Sequence, residues 1–155
     1  PQVAHDDLHK VLAAADVVVA ADTATFAISE VRWGLTAAII VPQLNDAIGA
    51  RQVRRYALTS ERFGAAEARR IGLVHEVVTE SELAAAGERI VTALLENGPK
   101  AMAETKAHVL EHAWARTGIG EMEGLIESHA AKRQSGEAVE GLASFAEKRA
   151  ARWTS

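Results

Sequence analysis

The sequence predicts an α/β fold, with two or three short strands near its start and a helical region behind them. Three observations carry this. Residues 16–20 form a β-branched run closed by an acidic turn at Ala21 and Asp22, the pattern of a short buried strand. From Gly34 onward, apolar residues recur at helical spacing between Gly and Pro stops. Aromatic residues make up only 5% of a chain that is 48% hydrophobic, so its core is built from small, alanine-rich helix faces.

Taken in order, residues 16–20 are the first strand and residues 25–29 the second, with Glu30 at its end and a break at Gly34. Pro42 suits the first turn of a helix that stops at Gly49. Residues 50–58 and 65–71 read as two short helices, the second stopped by Gly72, and residues 74–78 as a third strand. Thr79 and Glu82 form a capping box that opens a helix running to about residue 97, with Leu83, Ile90 and Leu94 on one face. Asn97-Gly98-Pro99 closes that helix and opens another, to about residue 114. Ile119, Met122, Ile126 and Ala130 keep helical spacing in the next, and Ser135-Gly136 separates it from a last helix over residues 137–149. Strands this few need partners from elsewhere to make a stable sheet. The expectation is a partial α/β core over residues 1–80, lacking N-terminal strands, and a helical oligomerisation region over residues 81–155.

Composition removes several function classes. A net charge of −4 argues against a nucleic-acid binder. The absence of cysteine excludes disulfides, thiolate catalysis and cysteine-based zinc sites. No apolar stretch approaches a membrane span, and no signal-peptide progression opens the chain, so the expected location is cytoplasmic. His108 and His112 share a helix face without the flanking carboxylate of a zinc-protease motif, so no metal is expected. Ser29, His75 and Asp46 supply the residue types of a hydrolase triad but no nucleophile elbow, and we read them as coincidence.

The residue best placed for chemistry is Glu30. A carboxylate after a short apolar strand and before a Gly turn can project into a cleft, where burial suits it to general acid/base work. From the residues alone the alternative is a surface glutamate paired with Arg32 or another cation.

The segment Phe26-Ala27-Ile28-Ser29-Glu30-Val31-Arg32-Trp33-Gly34-Leu35 resembles the crotonase (enoyl-CoA hydratase/isomerase) pattern in which Phe-x-x-x-Glu-x-x-x-Gly-Leu carries a catalytic glutamate. Further blocks match in register: Ile48-Gly49-Ala50-Arg51 with the stretch from Arg54 to Phe63, Ala65-Ala66-Glu67-Ala68 with Gly72-Leu73-Val74, and Glu140-Gly141-Leu142 through Arg149. Within the family, Ser29-Glu30-Val31-Arg32 and Arg55-Tyr56-Ala57-Leu58-Thr59 look most like bacterial methylglutaconyl-CoA hydratases.

The resemblance implies the C-terminal part of a crotonase-like ββα spiral, acting on an acyl-CoA. No separate cofactor is implied, coenzyme A entering as part of the substrate. The assembly implied is a homotrimer or dimer of trimers, with no nucleic-acid or membrane partner. It makes Glu30 the catalytic acid/base and Trp33, Gly34 and Leu35 part of the substrate pocket. Phe145 and Lys148 would hold coenzyme A. Where the family has a Gly-rich run opening a helix, this chain has Asp6-Asp7-Leu8-His9-Lys10. That places Asp7 at an oxyanion position, its N–H available at a helix N-terminus but its carboxylate opposed to an enolate. Lys10 stands where many family hydratases carry a second glutamate. The reaction implied is addition of water across a 2-enoyl-CoA double bond, incomplete in this chain alone. The alternatives are an isomerase-type relative and a non-catalytic helical assembly module.

Overall fold

A computed structural model of the protein describes residues 12–111 and 119–154. Strand β1 (Val19–Ala21) and strand β2 (Thr25–Phe26) are joined by a tight turn, but they belong to different two-stranded sheets. β2 pairs antiparallel with β3 (Phe63–Gly64), with Phe26 opposite Phe63. β1 runs parallel to β4 (Glu76–Val78). β3 falls in a stretch that the sequence patterning leaves as a connection, because two residues are too few to show alternation.

The first strand starts later than its β-branched run. At its head the Val18 N–H donates to the His75 imidazole Nδ1 at 3.0 Å, so a side chain takes the place of a backbone partner there. The second is shorter than expected for a similar reason. In the antiparallel register residues 27–29 would face residues 62–60, where the chain has just left a helix at Thr59 and Ser60 holds φ 51°, so no strand pairs them; β3 itself runs straight into helix α2 (Ala65–Ile71). Glu30 therefore does not end a strand. It opens a 3₁₀ turn, Glu30–Trp33.

Helix α1 (Val41–Thr59) carries Pro42 in its first turn, and Gly49, at φ 75° and ψ 146°, breaks it into the two segments the sequence suggests. α2 follows β3 and ends at Gly72. The Thr79–Glu82 capping box is present, with the Thr79 N–H donating to Glu82 at 3.0 Å. A 3₁₀ turn there leads into α3 (Leu83–Leu95), which buries Ala86 and half-buries Leu83 and Ile90, while Leu94 is exposed. α4 (Pro99–Glu111), α5 (Ile119–Arg133) and α6 (Gly136–Ala146) complete the chain. Ser135 caps α6, its Oγ accepting from the Ala138 N–H at 3.2 Å.

The core gathers Phe26 and Phe63 from the strands, Leu44, Tyr56 and Ile71 from the first two helices, and Val18 and Val74 from the loops beside them. The Tyr56 and Phe63 rings lie 4.2 Å apart, and Phe63 stacks on Phe26 at 5.7 Å. Across the expected boundary at residue 80, α5 packs on the 3₁₀ turn Ala38–Ile40 and α6 on the turn Glu30–Trp33. Among the described residues no helix is long and apolar enough to cross a membrane.

Candidate active site

The turn that carries Glu30 is closed by its own backbone. The Arg32 N–H donates to the Ser29 carbonyl at 3.0 Å, Gly34 to Val31 at 3.2 Å, and Leu35 to Glu30 at 3.1 Å. Gly34 ends the turn at φ 67°, a left-handed conformation that glycine adopts without steric cost. The Glu30 side chain is half-buried, and its carboxylate makes no hydrogen bond or ion pair with any described residue. The Arg32 pairing open to it is not formed. Arg32 reaches the other way and donates from Nη2 to the Ser60 carbonyl at 2.8 Å.

Around the turn the described polar groups are engaged or enclosed. Ser60 is buried at φ 51°, just past the end of α1, and its hydroxyl finds no partner among the described residues; the same is true of the enclosed Thr36 Oγ1. Tyr56, 1% exposed, donates to Glu67 Oε1 at 2.5 Å. Arg70 donates to both Glu67 oxygens at 2.6 Å. The Arg70 guanidinium first, and the Tyr56 hydroxyl second, hold the Glu67 carboxyl down at about 2. Burial, then the contact with Glu67, raises Tyr56 above its ordinary value.

Trp33 presents its ring to Phe145 edge-on, centroids 4.6 Å apart. It also lines an open cleft of about 510 Å³ with Val31, Arg32, Ser60, Arg149 and Trp153. Glu30, Gly34 and Leu35 are not in that lining. Gly34 instead faces α6: a Cβ added there would lie 2.6 Å from the Glu137 carbonyl oxygen. Phe145 is 61% exposed despite its contact with Trp33. Lys148, two residues past α6, holds φ 53°. Its N–H donates to the Phe145 carbonyl at 3.2 Å, and the Arg149 N–H to that of Ser144 at 3.0 Å, a helix stop that normally uses glycine.

Asp7 and Lys10 lie outside the described residues, as does His112. Among the described residues no cluster of His, Asp or Glu is placed to hold a metal. His75 is committed to the Val18 N–H, in keeping with a coincidental triad. Arg55 pairs with Glu61 at 2.5 Å and Arg70 with Glu67 at 2.6 Å.

Two residues near the turn were given no role of their own by the sequence reading. His129 on α5 hydrogen-bonds through Nδ1 to the Thr36 carbonyl at 3.0 Å, across a separation of 93 residues. Gly141 on α6 lies so close to Trp33 that a Cβ would sit 2.2 Å from its carbonyl oxygen. The only available signal was a glycine inside a helical pattern, which costs about 1 kcal/mol relative to alanine unless packing requires it.

The sequence profile of the family described as enoyl-CoA hydratase/isomerase matches residues 9–155. The chain belongs to the enoyl-CoA hydratase/isomerase family. A mevalonyl-coenzyme A hydratase of Aspergillus fumigatus is 33% identical over 147 residues, covering 93% of this chain and 54% of that protein. A carnitinyl-CoA dehydratase of Salmonella typhi is 30% identical, over 90% of this chain and 55% of that protein. Among solved structures, an enoyl-CoA hydratase from Mycobacterium avium superposes with a TM-score of 0.79 at 36% identity, over 94% of this chain and 57% of that one. The mixed, helix-rich crotonase-like fold is thus common to chain and relatives. The chain spans about half the length of the curated relatives it matches.

Proposed function

We propose that this chain carries the glutamate-bearing part of a site that adds water across the double bond of a 2-enoyl-CoA thioester. One observation supports the reading above the rest: Glu30 is a half-buried carboxylate on a backbone-closed turn and, unlike Glu67 and Glu140, has no ion pair with any described residue. A carboxylate left without a cation is free to exchange a proton. Glu30 takes a proton from water as the water oxygen bonds to C3 of the substrate. The electron pair of the double bond moves toward the thioester oxygen as an enolate. A proton returned to C2 completes the addition. Backbone N–H donors at the thioester oxygen would stabilise the enolate, with Asp7 at one such position.

Coenzyme A enters as part of the substrate. Phe145 offers an exposed ring face for the adenine, and Lys148, beside it at the exposed end of α6, a charge for a phosphate. Trp33 and Leu35 flank Gly34 and would line the acyl pocket. Methylglutaconyl-CoA remains the acyl group suggested by the motif around Glu30, and the relatives add mevalonyl- and carnitinyl-CoA as thioesters to test. Residues 1–80 would form the partial catalytic core and residues 81–155 the helical region through which trimers assemble. Exposed Leu95, Val109 and Leu110 are available for such contacts.

The test is calorimetric binding of these thioesters to the purified protein, beside hydration assays. Micromolar binding that weakens in Lys148→Ala supports the coenzyme A assignment. Glu30→Gln should lower turnover by about 100-fold or more while binding persists. Double-bond migration without hydration would favour the isomerase-type reading. Absence of binding to the intact protein would overturn the proposal.

A further inference from the structure

The segment from Glu30 to Thr36 is gripped from outside by the last two helices, through four contacts. The backbone of α6 lies against the turn in two places one helical turn apart. A Cβ on Gly34 would lie 2.6 Å from the Glu137 carbonyl oxygen, and one on Gly141 would lie 2.2 Å from the Trp33 oxygen and 2.4 Å from its carbonyl carbon. Neither approach is open to a residue with a side chain, since such separations fall far inside van der Waals contact. The Trp33 ring is then braced by Phe145 on the same helix. Three residues further on, the Thr36 carbonyl is held by His129 from α5. Because that acceptor is a carbonyl, Nδ1 must carry the proton.

The other glycines inside helices make the contrast. Gly87 on α3 and Gly124 on α5 have open space where a Cβ would stand, so nothing around them calls for glycine. Gly141 is different. The cost of a glycine inside α6 is offset only by the closeness to Trp33.

We propose that Gly141 and His129 are positioning residues for Glu30: they let α6 and α5 fix the backbone of residues 30–36, and with it the direction of the carboxylate. This rests on the acid/base reading of Glu30. Neither residue touches the reacting atoms. They act through Trp33 and Thr36, whose carbonyls stand on either side of Gly34 and Leu35, the residues whose N–H groups close the turn. An error of about 1 Å in such a segment can cost about 100-fold in rate.

The experiment compares Gly141→Ala, His129→Leu, His129→Asn and the control Gly124→Ala in the intact protein. It reads kcat and KM for enoyl-CoA hydration and hydrogen exchange at the Gly34 and Leu35 amides. Gly141→Ala and His129→Leu should lower kcat about 10- to 100-fold with KM nearly unchanged, and speed exchange at both amides. His129→Asn, whose amide N–H can replace Nδ1–H, should recover most of kcat and of the protection. Gly124→Ala should change neither. Unaltered exchange in both Gly141→Ala and His129→Leu would overturn the proposal, as would equal losses in His129→Asn and His129→Leu. Since a misfolded Gly141→Ala could mimic the effect, His129→Leu, which forces no atom into the backbone, carries the decision. Full turnover in Glu30→Gln would instead sink the acid/base reading, leaving exchange to decide whether the helices hold the segment.

Discussion

The Glu67 carboxylate takes hydrogen bonds from Tyr56 and from two nitrogens of Arg70, whereas the Glu30 carboxylate takes none from any described residue. Glu140 resembles Glu67: Arg149 donates to it at 2.6 Å and the Arg152 N–H at 3.0 Å, and its carboxyl is likewise held down at about 2, chiefly by Arg149. Both saturated carboxylates sit where chain segments must be tied together, Glu67 between α1 and α2 and Glu140 between α6 and the residues that follow it. Glu30 sits on a turn that closes through backbone hydrogen bonds, so its own carboxylate is not needed to hold it. The contrast separates two uses of one residue type. A carboxylate locked by arginine stabilises a junction and stays ionised. One left without such a partner on a backbone-closed turn is what the proposed acid/base role of Glu30 requires.

The sharpest way to break this comparison is at the turn itself. Gly34→Ala adds a Cβ against the Glu137 carbonyl and places alanine at φ 67°, so it should destabilise the protein by about 3 kcal/mol or more, read as a fall in the denaturation midpoint. A change well below 1 kcal/mol would mean that α6 does not pack on the turn as described.

Acid titration sharpens the carboxylate half of the comparison. Glu67 and Glu140 have folded values of about 2, below the usual ~4.3 of a free glutamate. Their contribution is therefore complete above that unfolded value and is lost as pH falls from there toward 2. Thermal melts between pH 7 and pH 2 should show Tm falling in this window. Glu67→Gln should lower Tm at pH 7 by about 5 °C and flatten the acid slope, while Glu30→Gln should leave Tm at pH 7 nearly as it was. Equal effects from the two substitutions would erase the distinction.

The smallest effect is expected at the end of α6. Lys148 holds a left-handed conformation that costs a side-chain-bearing residue about 1 kcal/mol, so Lys148→Gly should stabilise the fold by up to about that amount. If the ammonium group serves coenzyme A, the same variant should bind the thioester more weakly. A variant both more stable and equally tight in binding would remove Lys148 from the coenzyme A site.

Much of this arrangement could be read from the chain before any coordinates. Gly49, Gly72, the Thr79–Glu82 box and Ser135 mark helix ends through local chemistry, and each does so in the structure. The spacing of Phe26, Glu30, Gly34 and Leu35 singles out the turn because the carboxylate and the glycine that ends its turn are close in sequence. Strand limits were less accessible. β3 has two residues, and β1 is shortened by an imidazole 57 positions away that takes the place of a backbone partner.

What the sequence determined by itself was therefore local: caps, breaks, the helical second half, the family motif and Glu30 within it. Tertiary structure alone decided that the Glu30 carboxylate meets no cation among the described residues while Arg32 turns to Ser60, that Gly141 is required by the Trp33 backbone, and that His129 holds Thr36. These are contacts between atoms 28 to 108 residues apart or more closely matched in space than in order, and their partners differ in nothing that a local pattern records. A glycine that meets a carbonyl and a glycine that meets open space have the same side chain; only the packing of α6 on the turn tells them apart.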